Sequence, residues 1–196
     1  KFKNDALVIK KRGEDGYKLI TVRLKEDTLS KLDKICDHFH LSLQSGCDET
    51  LKRMNRKYTT ERYKEAVDLL RKYYPNVNFT TDVIVGFPQE TEEDFEESYE
   101  FVKNIHFYET HIFKYSRRHG TKAAAMSGQL TEAQKAARSD QMLALNEKHA
   151  AEYEKSMIGN QMQVLLEEEV EIQGKNWYVG HSKEYIKTAV PKEDGY

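Results

Sequence analysis

Residues 79–95 read FTTDVIVGFPQETEEDF. Phe79–Val85 is rich in β-branched residues and ends too apolar to face water on both sides, which predicts a buried strand. Gly86 lets the backbone turn or lets another group approach it closely, and Pro88 forbids the strand from continuing. Thr91 then reads as a helix N-cap, with Asp94 three residues on, before Phe95, Tyr99, Val102 and Ile105 recur at helical spacing. A strand, a glycine-kinked loop and a helix start mark the place where α/β folds hold ligands. The same features also describe a plain buried strand followed by an acid-capped helix.

The flanking sequence extends the alternation. Upstream, Thr59 or Thr60 opens a helix whose apolar face is Tyr63, Ala66, Val67, Leu70 and Tyr74, and Pro75 stops it. Before that, Phe39–Leu43 alternates as a strand, Ser45 and Gly46 end it, and Asp48 reads as the N-cap of a short basic helix through Lys57. Leu29–Ile35 reads as a helix. Ala6–Ile9 and Tyr17–Leu24 read as short, weakly patterned strands separated by Gly13 and Gly16. Downstream, the acids opening the helix at Thr91 match the helix dipole and form a solvated face. A further strand, Tyr108–Tyr115, leads into the basic loop SRRHGTKAA, residues 116–124. Strand, helices, strand, helix, strand predicts a parallel sheet with right-handed crossovers.

After Ala125 the texture changes. Thr131–Gln134 fits a capping box, and one helix is expected from there to Met157, with Gly159 as its C-cap. Ala136, Leu143, Ala150 and Met157 recur every seventh residue and suggest one narrow docking stripe. Met162–Leu166, Trp177–Gly180 and Tyr185–Val190 read as short strands, too few to close a barrel. The expected division is therefore 1–125, 126–157 and 158–196.

Composition bounds the function. Hydrophobic residues make up 38% and charged residues 33% of 196 residues, and no run reaches membrane-spanning length. There is no signal-peptide pattern at the start. Cys36 and Cys47 cannot build a disulfide framework, which favours a soluble cytoplasmic chain, and they read as buried thiols rather than metal ligands. A net charge of −2 gives no global pull towards nucleic acid, so any such binding must come from a local patch. Lys175, Trp177, Tyr178, His181, Lys183, Tyr185 and Lys187 interleave basic and aromatic residues, a pattern suited to phosphates and stacked bases. Glu167, Glu168, Glu169 and Glu171 oppose it unless they lie on another face.

DVIVGFPQETEEDF, residues 82–95, together with HLSLQSGCD at 40–48 and HIFKYSRRHGTKAA at 111–124, resembles the radical S-adenosylmethionine methylthiotransferases. The three motifs stand in family order, and the likeness runs from Cys36 to Tyr196, with Lys1–Leu24 resembling the family least. HLSLQSGCD resembles the branch acting on N6-threonylcarbamoyladenosine in tRNA. The tail from Ile158 resembles the start of a TRAM domain. The resemblance implies an α/β fold: the later half of a TIM-like barrel of the radical SAM type, then a long helix and a partial TRAM-like β-barrel.

It also implies an enzyme that adds a methylthio group to carbon 2 of that adenosine in the anticodon loop. The nearest alternatives are an isopentenyladenosine or ribosomal-protein target, or a non-catalytic RNA-binding module. The implied cofactors are S-adenosylmethionine and, in the intact protein only, [4Fe–4S] clusters. The family's CxxxCxxC cluster motif is absent from this sequence, so the chain is expected to be a fragment, inactive alone and weak or silent in S-adenosylmethionine binding.

By resemblance, Gln44 and Ser45 hydrogen-bond the cofactor, and Arg56 pairs with its methionine carboxylate. The rival reading makes Arg56 one more charge on a helix with Lys52, Arg53 and Lys57. Ile84, Val85 and Gly86 offer the adenine apolar contact and backbone hydrogen bonds, while Asp82 reads as structural. Arg117 and Arg118, with Tyr115, would meet RNA or substrate, though surface charge explains them equally well; Lys175, Trp177, Tyr178, Lys183 and Tyr185 would hold tRNA. Where the family usually has Gly, this chain has Gln89.

Overall fold

The computed structural model describes residues 7–13, 16–22 and 36–192. The helix expected over Leu29–Ile35 lies outside these residues. β1 (Leu7–Gly13) and β2 (Gly16–Val22) form an antiparallel hairpin that pairs Gly13 with Gly16 at its turn.

The centre of the fold is a parallel sheet of β3 (His38–His40), β4 (Asn78–Val85) and β5 (Glu109–Lys114), in that order. An isolated parallel bridge between Gln44 and Val83 extends the β3 side. Side chains alternate across the sheet. Phe39, Leu41, Leu43, Phe79, Val83 and Val85 bury one face against α2 (Thr60–Tyr73) and α3 (Glu92–Ile105), which contribute Tyr63, Val67, Leu70, Phe95, Val102 and Ile105. The other face carries His40, Thr80, Asp82, Ile84, Glu109 and His111, paired in register across β4 and β5. Helices therefore cover only the outside of a three-strand arc. The polar face is the one that would look inward in a closed barrel, which makes this a partial TIM-like barrel.

The expected helix signals hold with two differences. Thr91 caps α3 with a full capping box to Asp94, and Thr59 caps α2. Asp48, expected to cap α1 (Asp48–Arg53), instead accepts the Thr60 N–H at 2.7 Å and so fixes the start of α2. α1 ends at Arg53 rather than Lys57, since Asn55 turns to φ 58°.

α4 (Lys122–Ala125) is a single turn, and α5 (Glu132–Met157) runs back along the sheet. Its capping box forms as expected, but the seven-residue apolar stripe is not its buried face. Lys135, Arg138, Met142, Leu145 and His149 are buried, while Leu143 is 44% exposed. Three of the five are polar, so an apolar count along the helix misses the contact: Arg138 meets acids at the start of α3, and His149 stacks on His106. Asn146 accepts the Thr110 N–H at 2.6 Å and locks α5 to β5.

β6 (Val164–Ile172), β7 (Lys175–Ser182) and β8 (Lys187–Pro191) form an antiparallel meander with a bulge at Glu167. A Cβ at Gly180 would lie 1.8 Å from the Leu165 carbonyl oxygen, so only glycine admits this strand spacing. The meander docks at the amino end of the parallel strands. Asn78 donates to the Glu184 carbonyl at 2.5 Å, and the Tyr185 ring lies stacked against both His38 and His181.

Candidate functional site

The carboxyl ends of β3 and β4 form one rim. Gln44 sits there at φ 70°, donating its N–H to the Asp82 carbonyl and accepting from Ile84 N–H at 2.9 Å. Its side chain and that of Ile84 are half-exposed. Tyr58 donates its hydroxyl to the Leu43 carbonyl at 2.8 Å, and burial raises the pKa of that phenol against the pull of the Arg56 charge. Arg56 is exposed.

Other expected cofactor residues turn inward. Ser45 is 1% exposed and accepts the Cys47 N–H at 3.2 Å. The Gly86 N–H, expected to meet adenine, is donated to the Glu90 carboxylate at 2.7 Å, and Val85 accepts from Tyr115 N–H through its carbonyl. Gly86 stands at φ +72°, and its missing Cβ makes room for the Lys135 side chain rather than for a ligand. At this rim Gln44 and Ile84 keep half-exposed side chains, while Ser45 and the Gly86 N–H are closed into the protein's own bonding.

Beneath the rim lies a charged network that the sequence did not reveal. Glu90 is 5% exposed and accepts from Arg138 at 2.6 Å, while the same guanidinium reaches Glu92 at 2.9 Å and lies over the Phe95 ring. Burial raises the Glu90 pKa against the pull of the Gly86 N–H and Arg138. Asp94 holds both Arg53 and the Thr91 N–H, and its pKa is lowered because these bonds outweigh its burial. The acids of α3 are therefore partly structural, not only a solvated face.

The cysteines do not fit an iron–sulfur cluster. Cys47 is buried 3.4 Å from Asp94, and burial pushes its thiol up to about 11, away from the thiolate a metal needs. Cys36, expected to be buried, is exposed.

The expected RNA-binding residues are spread over three places. Arg117 and Arg118 are exposed in the loop after β5, where Arg117 donates to the Ala124 carbonyl at 2.7 Å. Trp177 and Tyr178 point to opposite faces of β7, with Lys175 on the Trp177 side. The indole N–H of Trp177 is enclosed and has no acceptor among the described residues. Lys183 is exposed. Tyr185 is half-buried, and its ring stacks 4.6 Å from each of His38 and His181. The acidic run does not leave the way clear either. Glu169 shares the Tyr178 face and Glu168 shares the Val179 face, because a strand puts neighbouring acids on both sides.

The inward face of the arc and the meander enclose a cavity of about 900 Å³ lined by His38, His40, Thr80, His111, His181 and Tyr185 among others. Next to His40 on the same face, Asp82 accepts from Ser42 at 2.7 Å and lies 3.1 Å from His40 Nε2. Asp82 is thus more than a strand residue. The signal was available in the alternation of His40, Asp82 and His111 on paired strands, all pointing inward.

A parallel arc with helices on its outer face defines a partial α/β barrel. The family model of the radical SAM superfamily matches residues 3–102, and the chain belongs to that superfamily. The match takes in the amino-terminal stretch that resembles the family least in its motifs. The threonylcarbamoyladenosine tRNA methylthiotransferase of Bacillus subtilis (strain 168) is 41% identical over 162 residues, 82% of this chain and 36% of its own length. The tRNA-2-methylthio-N(6)-dimethylallyladenosine synthase of Thermoanaerobacter sp. (strain X514) is 44% identical over 136 residues, 69% of this chain and 29% of its own length. The chain thus spans about a third of the length of these curated relatives. The fold is also that of Escherichia coli coproporphyrinogen III oxidase, a radical SAM enzyme, with TM-score 0.53 and 15% identity over 82% of this chain and 44% of that one. Among the described residues, no helix is long and apolar enough to cross a membrane.

Proposed function

We propose that this chain is part of a cytoplasmic tRNA methylthiotransferase that adds a methylthio group to carbon 2 of N6-threonylcarbamoyladenosine in the anticodon loop. The observation that carries this reading is the 41% identity over 162 residues to the B. subtilis enzyme of that name. The HLSLQSGCD wording of residues 40–48 supports the same branch. The 44% identity over 136 residues to a dimethylallyladenosine synthase supports a second reading, with an isopentenyl-type adenosine as the target.

In the first reading, residues 1–125 are the later part of the catalytic barrel, 126–157 a connecting helix, and 158–196 part of a TRAM-like module. S-adenosylmethionine would supply the radical chemistry when bound. The chain's own contribution is the rim: Gln44 to hydrogen-bond the cofactor, Ile84 to pack on its flat base, and Arg56 to pair with its carboxylate. Exposed Arg117, Arg118, Lys175 and Lys183 would meet tRNA phosphates, and Trp177 and Tyr178 would add aromatic surface. The iron–sulfur clusters would be held by cysteines other than Cys36 and Cys47.

The test is to express the complete reading frame encoding this chain in a host lacking both adenosine methylthiotransferases and to measure tRNA nucleosides by mass spectrometry. The 2-methylthio derivative of threonylcarbamoyladenosine is expected. The methylthio mark on isopentenyladenosine alone would move the assignment to the second branch.

A further inference from the structure

His40, Asp82 and His111 come from three neighbouring parallel strands, and each places one ligand atom within 4.8 Å of the others on the inward face of the arc. His40 Nε2 lies 3.1 Å from Asp82 Oδ2. That is about the edge of a coordination polyhedron whose metal–ligand bonds are about 2.1 Å long.

The outer contacts orient the donors. His40 Nδ1 is 2.9 Å from Thr80 Oγ1, which leaves Nε2 for the centre. His111 Nδ1 faces Glu109 at 3.7 Å, a carboxylate–histidine pairing of the kind that supports metal-bound imidazoles. Ser42 donates to Asp82 at 2.7 Å and fixes that carboxylate, and its hydroxyl is also 3.2 Å from His40 Nε2.

We propose that His40, Asp82 and His111 form a site for a first-row divalent cation of the Zn²⁺, Fe²⁺ or Co²⁺ class. Two imidazoles and one carboxylate on one side leave the remaining positions open, the arrangement typical of a facial donor set. Those positions face the cavity of about 900 Å³, which His40 and His111 help to line, so water or a donor atom of a bound molecule completes the shell. The site rests on these residues alone and not on the methylthiotransferase reading. A second trio, His106, His149 and Glu152, also places its ligand atoms close together. Its imidazoles are stacked 4.1 Å apart at 15°, so their in-plane lone pairs run side by side instead of converging.

The test is titration of the chelator-stripped 196-residue chain with Zn²⁺ by calorimetry and with Co²⁺ by visible absorption. One equivalent is expected to bind. H111A, which removes an exposed ligand with little effect on folding, and D82N should each weaken binding at least about tenfold. H106A, at the stacked pair, should leave it unchanged. Circular dichroism of every variant checks the fold, and H111A alone decides the matter if D82N does not fold. Absence of stoichiometric binding, or binding indifferent to H111A, overturns the proposal. So does equal loss in H106A.

Discussion

Arg138 on α5 and Glu90 in the loop before α3 meet at 2.6 Å with side chains 6% and 2% exposed, the chain's most deeply enclosed ion pair among the described residues. The pair ties the long helix to the loop after β4, and Glu90 also takes the Gly86 N–H. Removing one partner leaves a buried charge unmatched. Glu90→Ala is expected to lower stability by about 3–5 kcal/mol in urea denaturation. Combining it with Arg138→Met should cost less than the two single changes together, whereas simple additivity would show that the pair does not couple the two elements.

Gly86 should tolerate no side chain. An added Cβ would fall 2.4 Å from Lys135 Cγ, on a backbone at φ +72°. Gly86→Ala is expected to cost about 1–3 kcal/mol. Lys135→Ala in the same chain should recover only the steric part, leaving the cost of the backbone conformation.

Gln89 stands at φ 66°, in the left-handed region that favours glycine. That accounts for the glycine expected at this position from the motif. Gln89→Gly is expected to raise stability by about 0.5–1 kcal/mol, the relief of left-handed strain less the added chain freedom. A lower denaturation midpoint would show that the 3.3 Å hydrogen bond from Gln89 to Ser127 matters more than the strain.

His149 is buried against His106, and burial followed by the neighbouring imidazole pushes its pKa down from 6.5 to about 4. The unfolded chain therefore binds the proton first as pH falls. Stability from this site is full above about pH 6.5 and is lost progressively towards pH 4. His149→Gln removes the titration, so the difference in denaturation midpoint between variant and parent should change across that window and be flat above it.

Much of the fold was legible because it follows period and punctuation. Phe79–Val85, Gly86, Pro88 and the Thr91–Asp94 box each act locally, and the strand, kink and helix fall where they predict. The long helix was legible in its ends but not in its face. Arg138 and Lys135 are buried through partners far along the chain, which a one-dimensional apolar pattern does not contain. Gln44 keeps a half-exposed side chain at the strand ends, but Ser45 and Gly86 are consumed by bonds to Cys47 and Glu90, a competition visible only in three dimensions. The stacking of Tyr185 between His38 and His181 was equally hidden, because the tail packs back onto the parallel sheet from far along the chain.

The central claim is most directly tested by grafting residues 36–192 in place of the matching segment of the B. subtilis threonylcarbamoyladenosine tRNA methylthiotransferase. The chimera is then supplied to cells lacking that enzyme, and tRNA nucleosides are measured by mass spectrometry. The account predicts that the methylthio mark on threonylcarbamoyladenosine returns and that Gln44→Ala in the graft reduces it. A chimera that accumulates as folded, cluster-loaded protein yet restores no mark would contradict it.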